Sequence, residues 1–422
     1  MRITLRETDR SEALVFLETA LPPFSQPQSL LYRTRVGALA TLDGVTAGAF
    51  DREHDAIELP ASTRERTLRL AVEREGLPTN GLPPGDDIRW RWMLFRAHPE
   101  PQRYVDVCPS ATPTDRARVD GDGITLWGHS HLDVAWLWTY AQSARKAVRT
   151  FANALALLDD DPSFIFMQSQ PQLYAFVSRE DPELFARVLA EVARGRFDAD
   201  VAAMWVEPDC NVPSGESLLR QLLFAHAYCA REFGVEPSIA WLPDTFGFAR
   251  TLPTLLAHAG IKYFATTKLQ WNDTTRFPYP QFRWRGPDGS EITSALIASY
   301  DGGPDAGRLA VARERGEPMV VGYGDGGGGP TRRHLEQAET IGTWQRPREW
   351  FEALDARRET LPVHDDELYL EYHRGAFTTH HDIKSFNAAL ERALVEAEEQ
   401  LAWCTAVRAP AATLERLRAS LA

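Results

Sequence analysis

The sequence predicts an α/β fold, either a layered sheet or a barrel, that follows a β-rich region and precedes a helical one. From residue 124 onward, short apolar runs typical of strands alternate with segments whose apolar positions repeat at helical spacing. Before residue 115, β-like runs alternate with turns rich in proline and glycine. After residue 379, a long helical pattern extends almost to the last residue.

Residues 1–115 are predicted to form an N-terminal β-rich accessory domain. Its β-like runs include 13–17 and 67–72, and a polar linker at 109–114 closes it. No cluster of side chains in this region suggests chemistry. We therefore expect the reactive residues to lie farther along the chain.

Residues 120–378 are predicted to form the catalytic α/β domain, in which strands and helices alternate. Ser214 is a typical helix N-cap and Gly234 a typical helix end, so they bound one predicted helix. A turn at 287–290 predicts a β-hairpin across 281–297. The remaining strands are predicted at 124–127, 164–167, 197–204, 239–242, 261–265 and 319–323, and the remaining helices at 182–193 and 251–258.

Residues 379–422 are predicted to begin a helical bundle. One apolar stripe runs along this stretch, and two helices with one stripe make an incomplete bundle unless they pack on the preceding domain. The stripe consists of Phe386, Leu390, Leu394, Ala397 and Leu401.

The composition is that of a soluble globular protein, and the net charge is compatible with neutral substrates. The 59 acidic residues outnumber the 46 basic ones, which argues against nucleic-acid and anionic-membrane partners. The four cysteines lie far apart without CxxC spacing, so we expect no disulfide framework and a reducing cytoplasm. The first residues are too charged for a signal peptide, and no apolar run is long enough to cross a bilayer.

The run GHSHLDVAWLW at 128–138 is the first candidate site. On an extended chain leaving a strand, His129, His131 and Asp133 point the same way, and their side chains can bind a Zn-like cation. Trp136 and Trp138 can form a stacking platform or belong to the core. Taken alone, the run leaves a metal site and a structural histidine pair equally open.

Two aspartates at other strand ends extend this candidate site. Asp244 lies in WLPDTFG at 241–247, and Asp325 lies in GDGGGGP at 324–330. The carboxyl ends of strands carry the catalytic loops of α/β sheets and barrels, so we expect these motifs to meet. The alternatives are a helix N-cap for Asp244 and a glycine-rich turn for Asp325. The glycine run lacks the GK[ST] ending of a phosphate loop.

A further strand end, MWVEPD at 204–209, supplies Trp205 and Glu207. These side chains either line a sugar subsite or support the site from the core. A metal with additional carboxylates and many indoles favours carbohydrate over peptide hydrolysis, since indole faces stack on sugar rings. No HExxH motif of a metalloprotease is present.

With these motifs collected, the chain resembles the α-mannosidases of glycoside hydrolase family 38, in their cytosolic, vacuolar and bacterial branch. The likeness runs in order from about 120 to 400. It rests on HSHLD with Trp136, MWVEPDCN followed by SGES at 214–217, WLPDTFG, GDGGGGPT and ELYLEYHRG at 367–375.

The resemblance implies a retaining exo-α-mannosidase with one Zn²⁺, for which Co²⁺ and Mn²⁺ are alternatives by ligand type. His131, Asp133 and Asp244 would hold the metal. Asp244 would also be the nucleophile, and Asp325 the acid/base. Trp136 would stack under the bound mannose.

Trp205 and Phe246 are likewise assigned to substrate binding. The resemblance also implies an irregular seven-stranded (β/α) barrel-like catalytic domain. Family members are usually far longer and take a second metal-binding histidine from a later region, so we expect this chain to be truncated. The fourth ligand would then be water or come from a neighbouring or companion chain, and a homo-oligomer is one form of that expectation. His380 and His381 could substitute for that histidine, but their place in the sequence matches a helix start without ligands in this branch of the family.

Two other functions remain open at this point. A metal-dependent sugar deacetylase also uses a His/Asp metal site, but it needs one free aspartate as base and no covalent nucleophile. A catalytically impaired sugar-binding remnant would keep the aromatic cleft without turnover.

Overall fold

The computed structural model describes residues 1–11, 13–34, 36–74, 101–110 and 123–421. The end of the predicted linker and the predicted domain boundary near residue 115 lie outside these residues. The division of the chain into domains therefore stays a prediction.

The first 110 residues contain strands, as predicted, and the runs 13–17 and 67–72 lie mostly within β3 and β8. These strands form two antiparallel sheets, ordered β1-β9-β4-β7 and β2-β3-β8-β5-β6, and their apolar side chains share one core. The bounds are β1 (Arg2–Thr4), β2 (Arg6–Arg10), β3 (Leu14–Leu21), β4 (Gln28–Leu31), β5 (Ala38–Leu42), β6 (Val45–Phe50), β7 (Ala56–Leu59), β8 (Arg66–Glu73) and β9 (Tyr104–Pro109).

From residue 123 onward, strands and helices alternate. The strands are β10 (Ile124–His129), β11 (Phe166–Met167), β12 (Phe197–Asp198), β13 (Ile239–Trp241), β14 (Tyr263–Thr266), β15 (Gln281–Arg285), β16 (Glu291–Leu296), β17 (Met319–Val321), β18 (Gly342–Trp344) and β19 (Val363–His364). The helices are α1 (Tyr140–Asp160), α2 (Pro171–Glu180), α3 (Pro182–Ala193), α4 (Gly215–Phe233), α5 (Leu252–His258), α6 (Ala306–Arg315), α7 (Arg332–Ala338), α8 (Pro347–Asp355), α9 (His381–Ala406) and α10 (Ala411–Leu421). Short 3₁₀ turns span Lys268–Trp271, Arg358–Thr360 and Arg374–Phe377.

The mixed α/β class is confirmed, but the seven-stranded barrel is not, because the described residues form no closed barrel. One open sheet has the order β12-β11-β10-β17, with β18 also beside β10, and the other has the order β13-β14-β16-β15-β19. Isolated bridges, Ala202 to Ala240 and Gly302 to Gly322, connect the two sheets where ladders would be needed for closure. The strand predicted at 197–204 is only two residues long, so the ladder stops before this seam.

Local signals placed several helices correctly. The predicted helix 182–193 coincides with α3. In α4, the Ser214 side chain accepts a hydrogen bond from the Ser217 N–H, and Gly234 at φ 64° ends the helix in the left-handed conformation that glycine favours. The apolar face of α1 is buried in the core beside β10. The core therefore fixes β10, whose end leads into the candidate site.

The helical pattern at the end of the chain is confirmed as α9 and α10. No side chain of α9 is fully buried within the described structure, and Phe386 is 74% exposed. In hydrogen bonds between α4 and α9, Ser217 donates to Glu391 and Arg220 donates to Glu398. None of the described helices combines the length and the apolar character that a membrane span requires. The four cysteines are free thiols.

Candidate active site and metal centre

Three side chains from two separate strand ends converge at the centre of the candidate site. His131 follows β10 and is 2% exposed. Its Nε2 atom lies 3.5 Å from Oδ1 of Asp133 and 3.6 Å from Oδ2 of Asp244, which follows β13. One ligand atom from each residue lies within 4.8 Å of the other two. The structure thus brings together the first two sequence motifs.

The donor atoms of this cluster fit a divalent cation. Nε2 of His131 and Oδ2 of Asp133 are buried, and neither has a hydrogen-bond partner among the described residues. Buried polar atoms without partners are rare in folded proteins, so each needs an explanation. Imidazole and carboxylate groups are common ligands of divalent metal ions, Zn²⁺ among them. A cation bound here would also offset the repulsion between the carboxylates.

Glu207 contacts His131 on the side of the ring that faces away from Asp133 and Asp244. Its Oε2 atom lies 3.2 Å from Nδ1 of His131, and its Oε1 atom accepts a hydrogen bond from the backbone N–H of Asp244. Burial is the main cause that raises the pKa of Glu207, the charge of Asp244 adds to it, and His131 opposes it. The sequence alone was compatible with either a sugar contact or a supporting role for Glu207. The contacts observed here favour the supporting role.

His129, the other histidine of the first motif, lies outside the cluster. It is fully buried, and its Nε2 atom accepts a hydrogen bond from the indole N–H of Trp241 at 2.9 Å. Burial lowers the pKa of His129 well below its ordinary value, and nearby His131 adds to this effect. A neutral ring that packs against Trp241 joins the strand ends of β10 and β13.

Two polar residues that the sequence analysis missed contact Asp244. The ammonium group of Lys268 contacts Oδ1 of Asp244, and the hydroxyl of Tyr300 donates to the same atom at 3.1 Å. Both side chains are buried, Lys268 after β14 and Tyr300 after β16. Since both strands are parallel to β13 or to each other, the strand-end rule that identified Asp244 could have found these residues too.

Asp325 joins the cluster through Tyr300. The hydroxyl of Tyr300 lies 3.0 Å from Oδ1 of Asp325, so the facing oxygens of Asp325 and Asp244 are at most about 6 Å apart. Gly324 makes this approach feasible, since a Cβ atom there would lie 2.7 Å from the Tyr300 ring. Burial is the main cause that raises the pKa of Asp325, and the charges of Asp244 and Asp133 add to it against His131.

The three aromatic residues that were predicted to bind sugar lie in three different places. Trp136 is 51% exposed, and its ring meets that of Trp138 edge-on. Phe246 lies beside the cluster, 5.3 Å from Nζ of Lys268. Trp205 is partly buried elsewhere, where its indole N–H donates to Gln172. The structure therefore brings Phe246, but not Trp205, into contact with residues of the cluster.

Three remaining residues of interest, Trp138, His380 and His381, lie apart from the centre. The buried ring of Trp138 donates its N–H to the backbone oxygen of Asp133 at 3.2 Å, so it supports the loop that carries this carboxylate. His380 and His381 are exposed, and α9 begins at His381, so the predicted helix start is observed.

Comparison with known proteins finds a matching family and several relatives. Residues 123–367 match the model of the glycosyl hydrolases family 38 N-terminal domain. Alpha-mannosidase 2C1 of Homo sapiens is 37% identical over an alignment of 293 residues, and the match covers 64% of this chain and 28% of that protein. Alpha-mannosidase of Saccharomyces cerevisiae is 35% identical over an alignment of 280 residues, and the match covers 60% of this chain and 26% of that protein.

A solved α-mannosidase structure from Enterococcus faecalis matches with a TM-score of 0.49 and 21% identity, covering 58% of this chain and 31% of that one. The chain spans only 28% and 26% of the two curated relatives. The family match covers more than half of the chain. The chain therefore belongs to glycosyl hydrolases family 38.

Proposed function

We propose that the chain is the catalytic part of a retaining exo-α-mannosidase that removes terminal α-mannose from oligosaccharides or glycans. The observation that carries this proposal is the pair Asp244 and Asp325, linked by the Tyr300 hydroxyl beside a metal-type donor set. Retaining glycosidases keep their two carboxyl groups about 5–5.5 Å apart, whereas inverting enzymes need about 6.5–9.5 Å. The facing oxygens of Asp244 and Asp325 are at most about 6 Å apart, which is compatible with the retaining geometry.

We assign the metal to His131, Asp133 and Asp244. Their nitrogen and oxygen donors favour Zn²⁺, with Co²⁺ and Mn²⁺ as alternatives. A bound cation would supply a Lewis acid for hydroxyl oxygens of the sugar. The fourth ligand, a water or a group from another chain, belongs to the same proposal.

Asp244 is the proposed nucleophile. Its carboxylate attacks the anomeric carbon while the bond from that carbon to the glycosidic oxygen breaks, which leaves a mannosyl ester. Contacts with the Lys268 ammonium and the Tyr300 hydroxyl orient the carboxylate of Asp244 for this step.

Asp325 is the proposed acid and base. In the first step its carboxyl proton moves to the departing glycosidic oxygen, and in the second its carboxylate accepts a proton from the water that attacks the ester. The raised pKa of Asp325, caused mainly by burial, supports the first of these roles, because a proton donor must hold its proton until the reaction.

The aromatic residues are proposed to hold the sugar. Trp136 presents an exposed indole that is suited to stacking on a sugar ring, and Phe246 lies beside the ammonium group of Lys268. Trp205 keeps its assignment to substrate binding as a prediction, although its present contacts suit a supporting role better.

Hydrolysis of p-nitrophenyl α-mannoside by the Zn²⁺-supplemented chain tests this function. We expect turnover that a chelator abolishes, α-mannose as the first product in proton NMR, and loss of turnover in D244N and D325N. The exposed surface variant D288N is the matched control. Binding of mannose without turnover, release of acetate from an acetylated sugar instead, or first formation of β-mannose would contradict the proposal.

A further inference from the structure

A buried histidine–aspartate pair lies outside the candidate site, in the turn between β6 and β7. Asp51 is 6% exposed and His54 is 8% exposed. Oδ1 of Asp51 lies 2.9 Å from Nδ1 of His54 and also accepts the backbone N–H groups of Glu53 and His54 at 2.9 Å. Burying a charged pair costs desolvation free energy, so its contribution to stability alone does not explain it.

The second ring nitrogen of His54 contacts the active-site loop. Its Nε2 atom lies 3.0 Å from the backbone oxygen of Pro330. An ionised carboxylate and a carbonyl oxygen can only accept hydrogen bonds, so both ring nitrogens of His54 must donate and the ring is an imidazolium. The contact with Pro330 is therefore a charge-assisted hydrogen bond, which is stronger than a neutral one.

Pro330 ends the glycine loop, residues 324–330, that carries Asp325. Backbone hydrogen bonds between Tyr323 and Gly329 close its base, and the Gly326 N–H donates to the backbone oxygen of His131. Gly328 has φ +85°, and a Cβ atom there would lie 2.9 Å from both Oδ2 of Asp51 and Cε1 of His54. The backbone of the loop thus packs directly on the pair.

A run of glycines needs such outside support. Glycine has more backbone freedom to lose than any other residue, so a loop of glycines is not held by its own side chains. The Asp51–His54 pair contacts the carboxyl-terminal arm of this loop in two ways. The charged ring of His54 hydrogen-bonds to the backbone oxygen of Pro330, and both side chains pack closely on Gly328. These contacts come from a segment that precedes the residues matched by the family.

We propose that Asp51 and His54 are positioning residues that hold the glycine loop so that Asp325 faces the glycosidic oxygen. This inference rests on the proposed function, in which Asp325 is the acid. The β-rich N-terminal region then contributes to the reaction through the backbone of the loop, although no side chain of the pair touches the cluster centre.

The dependence on the leaving group tests this role. Protonation of the glycosidic oxygen matters for phenyl α-mannoside and little for 2,4-dinitrophenyl α-mannoside, whose phenolate leaves without a proton. For H54A we expect kcat/KM to fall by about 10-fold or more with the phenyl substrate and by less than about 2-fold with the dinitrophenyl substrate. G328A, which disturbs the same contact from the loop side, should give the same selectivity.

H258A is the matched control, because His258 forms an exposed pair with Asp288 elsewhere. It should leave both substrates unaffected. Equal losses of kcat/KM with both substrates in H54A and G328A would indicate general damage and overturn the proposal.

Amide hydrogen exchange provides a readout that does not need turnover. In H54A, we expect exchange in a peptide covering 323–331 to become about 10-fold faster, with no change in a peptide covering 239–247. Unchanged exchange at 323–331 would also overturn the inference. If the wild-type chain has no turnover, the proposed function fails, and exchange alone decides whether the pair holds the loop.

Discussion

Nδ1 of His131 lies 3.2 Å from Oε2 of Glu207, while the other ring nitrogen faces Asp133 and Asp244. This relationship fixes the orientation of the ring. In metal sites, a carboxylate on the far ring nitrogen typically sets both the tautomer and the basicity of the ligand.

E207Q should therefore weaken metal binding by about 10–100-fold while the fold persists. The amide keeps the volume of the carboxylate but loses its charge beside His131. Competition with a chromophoric chelator measures the Zn²⁺ affinity, and circular dichroism monitors the fold. The control is E317Q, at a buried glutamate that precedes β17 and lies at the other end of that strand from Asp325. Equal affinities in wild type and E207Q would contradict this account of Glu207.

Y300F should slow the reaction without removing the metal. Its hydroxyl contacts both Asp244 and Asp325, and a hydrogen bond to a charged group contributes about 1.5–3 kcal/mol, or roughly 10–100-fold in rate. Steady-state kinetics with p-nitrophenyl α-mannoside should show this loss mainly in kcat. Y263F, at a tyrosine stacked on Phe351, is the control. A loss of bound Zn²⁺ in Y300F would assign Tyr300 to the metal site instead.

Removal and return of the metal should change thermal stability. A ligand that binds only the folded chain stabilises it by about 2.7 kcal/mol at 100 times its Kd. After treatment with a chelator, addition of Zn²⁺ should raise the Tm of the wild type but not that of H131A. Differential scanning fluorimetry measures both. A Tm rise of the same size in H131A would show that Zn²⁺ stabilises the chain at another site.

The Asp51–His54 pair should make stability depend on pH. Burial lowers the pKa of His54, but the effect of Asp51 is larger, so the pKa lies above the ordinary 6.5. The contribution of His54 to the free energy of unfolding is therefore fully present below pH 6.5 and is lost as the pH rises through the pKa of the folded state. Burial raises the pKa of Asp51, but His54 outweighs it and the pKa lies below the ordinary 3.8, so stability from Asp51 is present above 3.8. Glu53 and Arg149 also act on this pair.

Both contributions are therefore present near pH 5.5, and the one from His54 declines above pH 6.5. The difference in Tm between wild type and H54Q should be larger at pH 5.5 than at pH 8.5. One unit of pKa shift corresponds to about 1.4 kcal/mol. Thermal unfolding of both proteins at the two pH values measures the difference. A difference that does not change with pH would contradict the charged pair.

The site was predictable as far as the strand-end rule was applied. Local patterns located β10, β13 and β17, and the residues after them, His131, Asp244 and Asp325, do lie together. Lys268 and Tyr300 were missed. The segment before Tyr300 was interpreted only as a hairpin, which hid the parallel pairing of β16 with β14.

The open sheets could not be predicted from local patterns. Closure of a barrel depends on ladders between strands distant in sequence, and here isolated bridges stand at those places. The shortness of β12 likewise depends on contacts between residues distant in sequence. Asp198 and Asp200 turn inward to pair with Arg346 and Arg348, which lie about 150 residues later in the chain. Trp205 follows this segment and packs on Tyr228, a contact that the sequence pattern does not reveal.

Trapping the covalent intermediate tests the central claim most directly. A fluorinated mannosyl fluoride, which forms the glycosyl ester quickly and releases it slowly, should add one fluoromannosyl group to the Zn²⁺-loaded chain. Peptide mass spectrometry should locate this group on Asp244, and D244N should remain unlabelled. Labelling of Asp325 or Asp133, or turnover without any adduct and with first formation of β-mannose, would contradict the assignment of Asp244 as the nucleophile.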